Sequence, residues 1–155
     1  MQNAIFTISI VFFISIISIE NITAQDNKEF NAKLAKELKA DDYGMKKYVI
    51  AFLKKGSNRS QDSITKAKLQ RAHLDNITKM ADEGILVLAG PFLDEGELRG
   101  IYIFNVETVE EAKKLTESDP LIQSGGLIME LHPWYGSAAT QEIGKIHKTI
   151  QKKEI

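Results

Sequence analysis

The sequence predicts an α+β fold with a four-stranded antiparallel sheet and both principal helices on one face, and three observations carry that expectation. The stretch 82–106 holds two apolar runs, Ile85 to Ala89 and Arg99 to Val106, joined by a polar loop with Asp94, Glu95, Gly96 and Glu97: the pattern of a hairpin. Further runs rich in β-branched, aromatic or alternating apolar residues stand at Lys47 to Lys54 and at Leu127 to Leu131. Stretches of helical spacing separate them, so the order reads strand, helix, strand, strand, helix, strand, the split βαβ or ferredoxin-like arrangement. Both hairpin strands are apolar on both faces, whereas an antiparallel strand with one wet face alternates. The helices cover one face only, and a second copy of the chain is the plainest cover for the other, because a monomer rarely leaves so large an apolar patch exposed.

Each element has its own signal. From Asn27 to Ala40, Phe30, Leu34 and Leu38 step by four and describe a short amphipathic helix, which Asp41 to Gly44 breaks. Lys47 to Lys54 is apolar on both faces, as a central strand should be. After the polar loop Lys55 to Gln61, Asp62 or Ser63 caps a long helix that reaches Glu83, with Gly84 at the left-handed stop. The hairpin follows. Thr108-Val109-Glu110-Glu111 is a capping box that starts the second core helix, with Val109, Ala112 and Leu115 inward and Pro120 as its end. After the Ser124-Gly125-Gly126 turn, Leu127 to Leu131 alternates, which suits an edge strand. The tail from Thr140 places Ile143, Ile146 and Ile150 on one helical face.

With 155 residues and 43% hydrophobic content the chain suits one domain with an ordinary core. A formal net charge of -1 and the lack of a basic face argue against nucleic acid as a partner. The absence of cysteine removes disulfides, thiol nucleophiles and thiolate metal sites together. Residues Ala4 to Ile19 are uncharged and largely apolar, followed by the small-residue stretch Thr23-Ala24. Such a run is shorter than the roughly 20 residues that span a bilayer, and it stands where a signal peptide stands. The expectation is export to the periplasm or beyond, with cleavage near Ala24 and no stable membrane insertion afterwards; an uncleaved anchor is the competing reading, since Met1-Gln2-Asn3 carries no Lys or Arg. The organisation is thus a signal at 1–24, a helical extension at 25–46, a core domain at 47–136 and a helical tail at 137–155.

The residues able to do chemistry are few. His73 precedes Ile77 by one helical turn and so shares the inward flank of the long helix. Two readings stand side by side: a ring that hydrogen-bonds a backbone group, and an acid or base on a half-apolar surface. Asp119, between Ser118 and Pro120, is out of place at a helix C-terminus, where the dipole disfavours a carboxylate by about 0.3 to 1 kcal/mol. In this topology the end of the second helix approaches the first, so Asp119 can meet His73 as a proton-transfer dyad; the plainer reading is a turn-forming Asp-Pro. Arg99 and His132 are the candidate ligand-binding residues, Arg99 for an anion and His132, before Pro133-Trp134-Tyr135, for a pocket or a dimer seam. No short ligand spacing joins His73, Asp119 and His132 as a metal site, and neither metal nor cofactor is expected. Asn58-Arg59-Ser60 and Asn76-Ile77-Thr78 match the glycosylation acceptor pattern, which arises often by chance.

Several short motifs, in order, carry a family resemblance. Tyr48-Val49-Ile50-Ala51, Ala72-His73-Leu74, Gly84 to Pro91, Arg99-Gly100-Ile101-Tyr102-Ile103-Phe104 and Ser118-Asp119-Pro120 resemble the YciI-related (YCII) domain family over about residues 47–135. The resemblance implies a dimeric α+β barrel of ferredoxin-like subunits and an active site on a histidine and an aspartate that correspond to His73 and Asp119. It further implies small-molecule lyase or isomerase chemistry on a small organic acid. The leader and the terminal helices depart from the simplest, cytoplasmic members. A non-catalytic exported module that binds a small molecule or a protein is the alternative.

Overall fold

The computed structural model describes residues 28–58 and 61–153. The expected export signal and the first residues of the helical extension lie outside the described residues. The elements are α1 (Ala32–Glu37), β1 (Met45–Lys55), α2 (Ser63–Asp82), β2 (Leu86–Pro91), β3 (Leu98–Phe104), α3 (Val109–Glu117), α4 (Pro120–Gln123), β4 (Leu127–Ser137), a 3-10 turn (Ala138–Glu142) and α5 (Ile143–Ile150). The four strands form one sheet in the order β2-β3-β1-β4, with every pair antiparallel. This is the ferredoxin-like α+β arrangement that the sequence predicts, and β1 and β3 are central.

Residue parity on β1 separates the two faces. Val49, Ala51 and Leu53 join Leu86, Tyr102, Phe104 and Leu127 in the main core, which Met80 of α2 and Ala112 of α3 complete. Tyr48, Ile50 and Phe52 point the other way, beside Ile103 and Leu88. One end of this second face is covered by the chain itself. The 3-10 turn and α5 pack against β2, and the Tyr48 hydroxyl donates to the carbonyls of Ser137 at 3.0 Å and Ala138 at 3.3 Å. Tyr48, Val87 and Ile103 are buried in consequence. The expectation that the chain supplies cover for one face only is corrected to that extent, while Ile50, Phe52 and Ile101 remain half-buried and Ile128 exposed.

Three elements differ from their expected bounds. α1 is shorter than 27–40: the Asn31 side chain accepts the Leu34 N–H at 3.0 Å, and Lys39 at φ 54° lets the Ala40 N–H close on the Ala35 carbonyl at 2.9 Å. β4 runs to Ser137 rather than Leu131, because β1 offers a partner at every position from Lys55↔Leu127 to Met45↔Ser137. Pro133 is tolerated there because an edge strand has a side that needs no donor. Pro120, expected to end the second core helix, instead opens α4, after α3 has closed on Ser118.

The α4–β4 turn docks on the end of β1 through Gly56, whose N–H donates to the Gly126 carbonyl at 3.0 Å. A Cβ at Gly56 would stand 2.0 Å from the Gly125 carbonyl oxygen, so only glycine permits the approach. Gly56→Ala is expected to destabilise the protein by roughly 1 to 3 kcal/mol, the cost of a forced shift in a packed interior. Urea denaturation reads the loss, and a midpoint equal to wild type contradicts this account of the turn.

Candidate active site

Two helix starts and one strand position the site. Asp62 caps α2, its carboxylate accepting the N–H of Ile64 at 2.9 Å and of Thr65 at 3.0 Å, and the helix runs 20 residues to Asp82. Along it only His73 and Met80 are buried, two turns apart on the inward side. The Thr108 and Glu111 capping box starts α3 as the sequence predicts, which carries the chain back toward α2. Asp119 follows, and its two carboxylate oxygens do different work. Oδ1 accepts the Leu121 N–H at 2.8 Å and caps α4, while Oδ2 lies 2.7 Å from Nδ1 of His73.

The sequence argument from the helix dipole is thereby corrected. Asp119 is not the misplaced last residue of α3 but the N-cap of α4, with Pro120 at the favoured position after it. A carboxylate there is well placed for the helix and for His73 at once. His73 is 6% exposed and Asp119 is fully buried, so neither group loses its partner to water.

Tyr102 completes the arrangement. It pairs on β3 with Ala51 on one side and Ala89 on the other, and these small neighbours leave room for its ring to stand toward α2. Its hydroxyl lies 3.2 Å from Nε2 of His73, and the two rings stack at 21°. Burial pushes the Tyr102 phenol far up, with the Asp119 charge adding to the effect, so it stays protonated and donates. Burial also pushes Asp119 upward, but the hydrogen bond and charge of His73 and the amides of Leu121 and Ile122 outweigh it and hold the carboxyl below its ordinary range. The hydrogen-bond chain therefore assigns the proton on Nδ1 to the Asp119 bond and leaves the Nε2 lone pair to accept from Tyr102.

His73 and Tyr102 line a cavity of about 500 Å³ between α2 and the sheet. Leu53, Leu74, Ile77 and Leu127 supply apolar wall, and Lys66 and Arg99 are cations on it; among the described residues no Asp or Glu lines it. Arg99, expected as a ligand-binding residue, thus stands at the same cavity as His73, with Nη1 donating to the Asp94 carbonyl at 3.2 Å. His132 does not. It pairs on β4 with Ile50, so it belongs to the opposite face of the sheet, where it meets Glu130 at 2.8 Å and the edge of Phe52. Among the described residues no three His, Asp or Glu side chains converge to hold a metal ion. The Nδ2 of Asn76 is buried, which counts against glycosylation there; Arg59 and Ser60 of the other acceptor pattern lie outside the described residues.

Sequence reasoning missed Tyr102 and Lys66. Tyr102 reads as one more apolar strand residue, although a phenol in a central strand needs a polar partner on one face, and that was the available signal. Lys66 is one lysine among many on the start of a helix, and nothing local singles it out.

A model of the YCII-related domain matches residues 48–135. None of the curated proteins matches. Among solved structures, 5-chloro-2-hydroxyhydroquinone dehydrochlorinase (TftG) from Burkholderia phenoliruptrix AC1100, in complex with 2,5-dihydroxybenzoquinone, is similar at a TM-score of 0.43 and 18% identity, covering 57% of this chain and 93% of that one.

The buried carboxylate makes a prediction about acid stability. Because its folded value is depressed, Asp119 contributes stability that is present above its ordinary value of 3.8 and is lost as pH falls through the lower folded value. Asp119→Asn should cost roughly 1.5 to 3 kcal/mol at neutral pH, the range for hydrogen bonds to a charged group. In urea denaturation the gap between the two proteins should shrink as pH drops below 3.8. A gap that stays constant with pH contradicts the assignment of a charged carboxylate.

Proposed function

The chain belongs to the YCII-related domain family, and from that premise we propose that it is a small-molecule enzyme of the lyase or isomerase type in which His73 and Asp119 form a proton-transfer dyad. The observation that carries the reading is the 2.7 Å bond from Asp119 to Nδ1 beside an open cavity. Asp119 orients the ring and offsets the charge that the ring gains, so Nε2 is the atom that takes a proton from a bound molecule. The conditional chemistry is proton abstraction, followed by return of the proton elsewhere or by loss of a leaving group. Lys66 and Arg99, with no carboxylate among the lining residues, favour an organic acid as the molecule bound.

The alternative is an exported binding or interaction module. A hollow of about 500 Å³ against the histidine favours the enzyme, because a pure interaction module gains nothing from an empty interior. Export follows from the sequence argument for a leader, and we retain it as part of the proposal.

The protein acts as a homodimer in this reading. Ile50, Phe52 and Ile101, with Ile128 and Trp134 beside them, form an apolar patch that a second sheet would cover. His132 and the Lys54 and Glu130 pair border the same patch, which makes His132 a seam residue rather than a ligand-binding one. In sedimentation velocity the wild type should run as a dimer and Phe52→Glu as a folded monomer. A wild-type monomer at micromolar concentration contradicts the dimer.

Exchange of carbon-bound protons tests the dyad directly. The protein without residues 1–24 is incubated in D2O with a panel of small oxo and hydroxy acids, and the loss of proton signals is followed by NMR. Exchange above buffer that falls by about two to four orders of magnitude in His73→Gln is the expected result, the range for general base catalysis. Exchange that survives His73→Gln, or none across the panel, counts against the reading.

A further inference from the structure

We propose that Tyr102 is a catalytic residue of this site, capping the His73 lone pair at rest and turning its O–H to hydrogen-bond an oxygen of the bound molecule, and the inference rests on the dyad reading above. The geometry leaves little choice of roles. With the Nδ1 proton held by Asp119, Nε2 has one lone pair, and the Tyr102 hydroxyl 3.2 Å away occupies it. Tyr102 is 2% exposed, and among the described residues its hydroxyl has no hydrogen-bond partner but His73. A base whose lone pair is taken cannot accept a second proton. It becomes available only when the hydroxyl turns to another acceptor, and the cavity that both side chains line is where such an acceptor would arrive.

That requirement narrows the ligand. It must carry an oxygen acceptor next to the proton to be removed, as a carbonyl compound does at its α-carbon. On binding, the oxygen takes the Tyr102 O–H and Nε2 is released. Nε2 then forms a bond to the α-proton, the C–H pair becomes the C=C bond of an enolate, and the carbonyl π pair moves onto the oxygen. Tyr102 keeps its proton throughout and stabilises the developing oxyanion by hydrogen bonding. Reprotonation of the enolate from Nε2–H, at the same or a conjugated carbon, returns the site to its starting state with no other reactant. A ligand of matching charge but without the oxygen would bind and leave the base capped, so Tyr102 sets specificity as well as rate.

Diethyl pyrocarbonate tests the cap without knowledge of the substrate, because it acylates an imidazole through a free lone pair. The chain has three histidines, so His132 and His147 report whether the fold and the reagent are unchanged. Peptide-resolved mass spectrometry should show His73 reacting faster in Tyr102→Phe, by roughly the two- to tenfold that loss of one hydrogen bond allows, with the other two rates as in wild type. Tyr102→Met, which also lacks the hydroxyl, should give a rise as well, which separates loss of the hydroxyl from a folding effect of the phenylalanine variant. Adding Asp119→Asn to Tyr102→Phe should return the His73 rate to the wild-type level or below, since a carboxamide can donate to Nδ1 and move the ring proton to Nε2. An unchanged His73 rate in both Tyr102 variants overturns the cap while leaving the dyad standing. A rise that Asp119→Asn does not reverse overturns the dyad, and the proposal with it.

Discussion

The structure depends on one carboxylate doing two jobs. Asp119 is fully buried, and a buried carboxylate is costly unless each oxygen finds a donor. One oxygen finds the Leu121 amide and so holds α4, the single turn that brings the chain from α3 back to the sheet. The other finds His73 on α2. The same residue therefore fixes the path of the backbone and the orientation of the ring, and neither can shift without the other. Local structure and site chemistry are coupled here at the level of single atoms.

The sheet supplies the rest by its parity. Tyr102 and Phe104 face the helices, and their neighbours Ile101 and Ile103 face away, so one strand contributes to the site and to the opposite face at once. Small residues on either side of Tyr102 give its ring the space to meet His73. The hollow beside it is bounded by apolar side chains, by the polar Asn58, Gln61, Gln70 and Thr78, and by two cations. The second face has a different fate: the chain folds its own C-terminal segment over one end and leaves the middle with apolar surface.

Much of this was legible in the residues, and the reason is locality. The hairpin, the capping box at Thr108 and the Gly84 stop are each specified within a few positions, and the structure has all three where the sequence puts them. The strand order follows because split βαβ topology leaves little freedom once the elements are named. What escaped the sequence depends on distant partners. The full length of β4 is set by β1, and the capping role of Asp119 was hidden because Pro120 reads equally as the end of one helix or the start of the next. Tyr102 was hidden in the same way, among residues that otherwise serve as core. His73 and Asp119 were legible, but the third group that joins them comes from a distant strand, and nothing local pairs it with them.

The account stands or falls on where the imidazole proton sits. Long-range nitrogen–proton NMR of the His73 side chain, recorded in alkaline buffer on protein labelled with 15N, distinguishes the two neutral tautomers directly. The account requires the proton on Nδ1, toward Asp119, with Nε2 showing the shift of an unprotonated nitrogen that accepts a hydrogen bond. A proton found on Nε2 would turn the lone pair away from the cavity and contradict it.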